Sequence, residues 1–208
     1  MSDTPNTAPV EKKLKIVGCD LDDVLCDFMS MFIDMASERF GIPTDKILRP
    51  IDWAWSNMGW TKEQESALWQ QLHDTKNFWM SLDILPGVNP QLVQLLSQRA
   101  KMYFPTARAQ SLGADVSIQS AAWLNEKFHV NFPTVVVSNE KGPLAAALKY
   151  DYFIDDRDKN CLEVKAARPE CVVCLSAARH NEKFDAESKG IIRVSGFNEF
   201  AQKILSEV

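Results

Sequence analysis

Four short apolar runs, each the length of a β-strand, end on a reactive polar side chain, and that repetition constrains the fold more than any other feature of the chain. The first run carries Leu14, Ile16 and Val17 and stops on Asp20, Asp22 and Asp23. Residues 102–104 lead into Pro105-Thr106-Ala107-Arg108, and residues 134–137 lead through Ser138-Asn139-Glu140 to Lys141. The fourth run, residues 152–154, enters Asp155-Asp156-Arg157 directly. Between and after these runs the apolar spacing is helical, at Leu92, Leu95 and Leu96 after Asn89-Pro90 and over residues 114–128, 144–148, 162–167 and 198–205, with further strands at 171–175 and 191–194. Strands alternating with helices predict an α/β fold, a doubly wound parallel sheet covered on both faces.

In a parallel sheet the carboxyl ends of the strands share one edge, where ligands bind, so the four endings can meet there. Asp20 and Asp22, two apart in an extended segment, point the same way. Asp20, Asp22 and Asp155 brought together would repel one another unless a cation neutralised them. An oxygen-only donor set favours Mg²⁺, held by carboxylates, waters and phosphate. Lys141 adds a point charge for a phosphate oxygen and Thr106 a hydroxyl donor, so the set can bind and split a phosphate ester. The bland alternatives are a helix cap for Asp20 and Asp22, a solvated Lys141, a turn role for Thr106 and an ion pair for Asp156 and Arg157.

The segment from 29 to 85 differs in character. Leu25, Phe28, Phe32, Met35, Ala36 and Phe40 recur at helical spacing up to Gly41, and Thr61 with Gln64 and Glu65 caps a helix running to about His73. Five of the six tryptophans, Trp53, Trp55, Trp60, Trp69 and Trp79, fall here. Aromatic residues in a small helical module are mostly its core, but stacking on a base contributes about 1–3 kcal/mol, which makes Phe78 and Trp79 candidates for a substrate contact. Arg108 is a candidate for phosphate or base, or for a surface salt bridge. The expected organisation is a loose tail over 1–11, an α/β core from 12–28 and 86–208, and a helical, tryptophan-rich module over 29–85, which the resemblance described below makes a cap.

At 208 residues the chain holds one sizeable core with room for a small module. A net charge of −5 argues against binding a nucleic-acid polymer. Apolar runs stay far short of the roughly 18 residues that span a bilayer, so no membrane association is expected and a cytoplasmic location is. Five scattered cysteines suit a reducing compartment; Cys171 and Cys174, three apart on a strand, should face opposite sides and not chelate a metal together.

Asp20-Leu21-Asp22-Asp23-Val24, Thr106, Lys141 and Ile154-Asp155-Asp156-Arg157 resemble, in order, the four motifs of the haloacid dehalogenase-like (HAD) phosphohydrolases. The resemblance covers essentially everything after residue 12 and implies a HAD-like, Rossmannoid core with an inserted cap. Within that superfamily the chain is most similar to the 5′(3′)-deoxyribonucleotidases, through residues 20–28 and Asn77-Phe78-Trp79 before Leu85-Pro86-Gly87. The resemblance implies Asp20 as nucleophile, Asp22 as acid and base, and Thr106 and Lys141 as stabilisers of the transferring phosphoryl group. It implies Mg²⁺ on the Asp20 carboxylate, the Asp22 carbonyl and Asp155, with Asp156 as a second acid. The implied substrate is a nucleoside monophosphate, acted on by a monomer or homodimer. Two positions depart from the nucleotidase pattern: Asp23 stands where glycine is common, and Thr106-Ala107-Arg108 stands for Thr-Ser-Pro. A sugar phosphatase of the same chemistry and a phosphate-accepting receiver domain are the rival readings. In receivers an early acidic pair precedes the phosphorylated aspartate, whereas here Asp155-Asp156 follows Lys141.

Overall fold

The computed structural model describes residues 14–47, 49–52 and 54–207; the expected tail over 1–11 and Trp53 lie outside the described residues. Six strands, β1 (Ile16–Cys19), β2 (Lys101–Thr106), β3 (Thr134–Val137), β4 (Tyr152–Asp155), β5 (Val172–Ser176) and β6 (Ile192–Val194), form one sheet in the order β3-β2-β1-β4-β5-β6. Every pairing is parallel. Seven helices accompany them among the described residues: α1 (Phe28–Phe40), α2 (Lys62–Asp74), α3 (Pro90–Arg99), α4 (Val116–Phe128), α5 (Lys141–Leu148), α6 (Asp158–Ala167) and α7 (Phe197–Leu205). This is the expected doubly wound architecture. The strand order reverses between β1 and β4, and a crevice opens at the carboxyl ends of strands where such a reversal occurs. Asp20 follows β1 and Asp155 closes β4, one on each side of it.

Two apolar clusters lie on opposite faces of the sheet. One carries Val93 and Leu96 of α3, Trp123 of α4 and Phe197, Phe200 and Ile204 of α7; the other carries Ala145 of α5 with Cys161 and Val164 of α6. Cys174 belongs to the first and Cys171 to the second, so the two thiols are on opposite sides, as their spacing predicts. All five cysteines are free and buried.

The segment between β1 and α3 leaves and re-enters the core at one point: Leu85 N–H donates to Leu25 O at 2.8 Å and Asp27 N–H to Asp83 O at 3.0 Å. Asp27 caps α1, accepting from Ser30 N–H at 3.2 Å, and Gly41 ends that helix in the left-handed conformation at φ 65°. Thr61 and Gln64 form a reciprocal capping box at the start of α2. The tryptophan-rich segment has no core of its own, because Phe32, Leu68 and Leu72 share one cluster with Trp79, Trp123 and the α3–α7 face of the sheet. Trp123 Nε1–H donates to Leu82 O at 2.7 Å, tying the segment to α4.

Candidate active site

After β1 the chain folds into a tight loop. Leu25 and Cys26 N–H both donate to Leu21 O, at 2.9 and 3.0 Å, and Asp23 N–H donates to Cys26 O at 2.8 Å. Asp23 therefore occupies the left-handed region at φ 56°, the conformation glycine adopts without strain, which gives a physical reason for glycine at this place. Its carboxylate accepts from Met29 N–H at 3.2 Å. Burial, then the Asp156 charge, push Asp23 up to about 8 despite that hydrogen bond.

Asp20, Asp155 and Asp156 each bring a carboxylate oxygen within 4.8 Å of the others, all three buried. Burial pushes Asp20 well above the usual carboxylate range; Lys141 pulls it down, and Asp155, Asp22 and Asp156 add to the rise. Asp156 is raised by burial and by Asp155. Lys141 Nζ donates to Asp20 Oδ1, to Asp155 Oδ2 at 3.2 Å and to Pro105 O at 2.8 Å. Burial works against its charge, but the two carboxylates raise Lys141 above its ordinary value. One ammonium faces three acids, so the donor set fits a divalent cation held by Asp20, Asp155 and Asp156.

Lys141 stands at the first position of α5, three residues earlier than its apolar spacing suggests. Gly142 lets α5 approach α6: a Cβ there would lie 2.7 Å from Glu163 O. Close packing of the two helices sets Lys141 beside Asn160, whose amide donates to both oxygens of Asp155 at 3.1 and 3.0 Å. Asn160 is a site residue that the sequence reading missed. So is His180, whose Nε2 lies 3.0 Å from Asp156 O and 3.2 Å from Asp156 Oδ2.

Asp22 is separate from the acidic trio. Its carboxylate is gripped by Arg108, with Nε 3.0 Å from Oδ1 and 3.2 Å from Oδ2 and Nη2 2.9 Å from Oδ1. Thr106 Oγ1–H donates to Oδ2 at 3.4 Å and the Cys26 thiol to Oδ1 at 3.1 Å. Arg108, a candidate for phosphate or base or for a surface pair, lines the cleft beside Trp79 and is buried rather than at the surface, with Nη1 donating to Ser120 Oγ at 2.8 Å and its guanidinium 4.7 Å from the Trp79 ring. That stacking and fork geometry follow from arginine's planar, delocalised charge.

Asp20, Asp22, Asp23, Lys141, Asp156 and Asn160 floor a cleft of about 310 Å³ whose walls include Phe28, Trp55, Trp69 and Trp79. Phe28 stacks on Trp69 and on Trp79 at 5.9 and 5.7 Å, and Trp55 on Trp69 at 6.0 Å. Of the two expected substrate contacts, Trp79 reaches the cleft and Phe78 does not; Phe78 is buried edge-on against Trp79, 5.1 Å away. Trp79 is nearly enclosed, its Nε1–H donating to Ala109 O at 2.8 Å.

Among known proteins, one from Chlorobaculum tepidum named "Putative 5'(3')-deoxyribonucleotidase" is 26% identical over 184 residues, spanning 86% of this chain and 88% of that protein. A haloacid dehalogenase-like family hydrolase from Streptococcus pneumoniae has a similar fold at TM-score 0.54 and 14% identity, over 93% of this chain and 98% of that structure. A hydrolase from Pseudomonas syringae aligns at TM-score 0.54 and 15% identity, over 94% and 99%. The family model described as "5' nucleotidase, deoxy (Pyrimidine), cytosolic type C protein" matches residues 14–206. With a parallel sheet whose strands end on the motif residues, a buried acidic cluster and that match over nearly its whole length, the chain belongs to this 5′-nucleotidase family and is a nucleotide phosphatase of the haloacid dehalogenase-like superfamily.

Proposed function

We propose that the chain hydrolyses deoxyribonucleoside monophosphates with Mg²⁺, through an aspartyl-phosphate on Asp20, in the cytoplasm. The observation that carries this reading is the meeting of Asp20, Lys141 and Asp156 with an aromatic wall in a single cleft, with the Asp155 carboxylate buried within reach of Asp20 and Asp156. A phosphate monoester needs charge on one side and a surface for its organic part on the other, and the cleft offers both.

Asp20 is the group placed to attack phosphorus, its carboxylate oxygen forming the new P–O bond as the ester P–O bond breaks. Lys141 holds that carboxylate in position and faces the charge of the transferring phosphoryl group. Asp20, Asp155 and Asp156 would hold Mg²⁺, which would supply positive charge to offset that of the transferring phosphoryl group. Asp22 is the group assigned to protonate the leaving alkoxide and to take a proton from the water that later attacks phosphorus and frees Asp20. In the resting arrangement Arg108 and Thr106 hold Asp22, so proton transfer requires that carboxylate to turn toward the substrate. Residues 29–85 act as the cap that supplies the aromatic wall and excludes water.

Phosphate release from a panel of deoxy- and ribonucleoside monophosphates and sugar phosphates, with Mg²⁺ and with EDTA, tests the reading. It expects Mg²⁺-dependent release that favours deoxynucleotides. A sugar phosphate exceeding every nucleotide in kcat/KM would overturn the substrate assignment, and equal release in EDTA would overturn the metal.

A further inference from the structure

The carboxyl ends of β5 and β6 border a second cavity, of about 430 Å³, that phosphoryl transfer does not use. Its lining includes Arg49, Ser176 at the end of β5, and Gly196, Phe197 and Asn198 at the start of α7. Gly196 caps α7 and brings no side-chain oxygen to the first turn. Among the described residues the N–H groups of Phe197, Asn198 and Glu199 have no acceptor. The Asn198 side chain is taken up by Asn89 N–H at 2.9 Å and Gly87 O at 2.8 Å. The Glu199 carboxylate turns back to accept from Ser195 N–H and Oγ–H at 2.7 and 2.8 Å. Free N–H groups occur at many helix starts; Ser176 sets this one apart. Ser176 is only 4% exposed, its carbonyl accepts from Asn181, and its hydroxyl has no hydrogen-bond partner among the described residues. Cys174 packs on the α3–α7 face of the sheet, and Ser176, two residues further along the strand, points the same way, into the cavity.

We infer that this cavity is a second oxyanion site, separate from the catalytic cleft, which takes a phosphate group between the α7 N-terminus, the Ser176 hydroxyl and the Arg49 guanidinium. The inference goes beyond the nucleotidase reading and does not depend on it. A helix N-terminus gathers anions through its free N–H groups and its dipole. A buried hydroxyl without a partner is costly, and a phosphate oxygen accepts from it. Arg49 spends only Nη2, on Asp27 Oδ1 at 3.4 Å and on Ser30 Oγ, so Nε and Nη1 have no partner among the described residues. An adjoining pocket of about 180 Å³ shares Arg49 and adds Arg179 and His180. The rim is thus cationic on a chain whose net charge is −5. The one acid in the lining, Asp23, also lines the catalytic cleft, and one of its oxygens is engaged by Met29 N–H at 3.2 Å. Backbone N–H groups, a hydroxyl and a guanidinium outnumber that single acid and suit an anion, not a cation. The volume leaves room for free phosphate or for the phosphate end of a small ester.

Backbone amide NMR spectra report the two sites separately. The wild-type chain with Mg²⁺ is titrated with inorganic phosphate, and in parallel with chloride at matched ionic strength. The amides of Phe197, Asn198 and Glu199 are expected to move together and saturate with phosphate but not with chloride. Ser176→Ala removes a hydrogen bond to a charged group and is expected to raise their midpoint about tenfold. Arg49→Gln removes a half-exposed charge and is expected to raise it about threefold. The same spectra show that both variants fold, and the amides flanking Asp20 should keep their own midpoint in each. A hydrolysis-resistant nucleoside phosphonate identifies the source of the phosphate group. A midpoint below that of inorganic phosphate assigns the site to the phosphate end of a nucleotide, and one at or above it assigns the site to free phosphate. No saturating shift at residues 197–199, an equal shift with chloride, or a midpoint that neither variant moves overturns the site. So does a midpoint that equals the one at Asp20 in every variant, which would place the phosphate in the catalytic cleft alone.

Discussion

Arg108 and Asp22, 86 residues apart in sequence, form a bidentate ion pair in which Asp22 Oδ1 lies 3.0 Å from Nε and 2.9 Å from Nη2 of a fully buried guanidinium. The loop after β2 thereby reaches across to the loop after β1 and fixes the carboxylate assigned to proton transfer. Cys26, Ser120 and the Trp79 face complete the surroundings of the guanidinium.

Replacement of Arg108 separates geometry from charge. Lysine keeps the charge but cannot present two parallel donors or stack as a plane. Arg108→Lys is expected to lower kcat by about tenfold or more with little change in KM, because the guanidinium fork is taken up by Asp22. Arg108→Ala leaves a largely buried carboxylate without its partner, which costs about 3–5 kcal/mol, and is expected to lower Tm clearly. Steady-state kinetics and calorimetry on the two variants check this. A rise in KM alone would return Arg108 to direct substrate binding.

Asn160 supports the proposed cation site through Asp155. Its two hydrogen bonds hold the Asp155 carboxylate, and loss of such a supporting contact typically weakens metal affinity by about 10–100-fold. Asn160→Ala is expected to raise the Mg²⁺ concentration for half-maximal activity by that factor while leaving kcat at saturating Mg²⁺ within a few-fold. Mg²⁺ titrations of phosphate release measure it, and an unchanged midpoint would show that Asp155 is held well enough by Lys141 and the Arg157 N–H.

Stability without metal should fall as pH rises. Asp20, Asp23 and Asp156 are each pushed above the ordinary carboxylate range, so the folded chain binds more protons than the unfolded one in this window. Their contribution is complete below the unfolded carboxylate value and is lost as pH climbs, through about 8 for Asp23. In EDTA, Tm is expected to drop between about pH 5 and about pH 9, and Mg²⁺ is expected to restore most of the loss at the alkaline end. Asp23→Asn keeps a residue type that tolerates the left-handed backbone and removes the titrating group, so its Tm should depend less on pH. A Tm that rises with pH in EDTA would contradict this sign.

Much of this molecule can be read from its sequence, and what escapes has physical causes. The strands that end on Asp20, Thr106 and Asp155 are apolar runs cut off by a polar residue, which marks both the element and the site. The start of α5 escapes because Gly142-Pro143 reads as loop, although proline is tolerated in a helix's first turn. α6 starts at Asp158, not near Leu162, because its first turn is polar, and that hid Asn160. Phe78 and Trp79 are neighbours with equal aromatic character, and only the three-dimensional turn decides that Trp79 lines the cleft. The Arg108–Asp22 pair depends on two loops converging, for which local spacing carries no signal.

The most direct test of the account is to mix enzyme in excess with dCMP and Mg²⁺, quench with acid within a single turnover, and map phosphorylation by mass spectrometry. The account expects a phosphoryl group on Asp20 that appears before free phosphate and then decays, and neither the adduct nor turnover in Asp20→Asn. Full phosphate release by Asp20→Asn, or an adduct on any other residue, would contradict it.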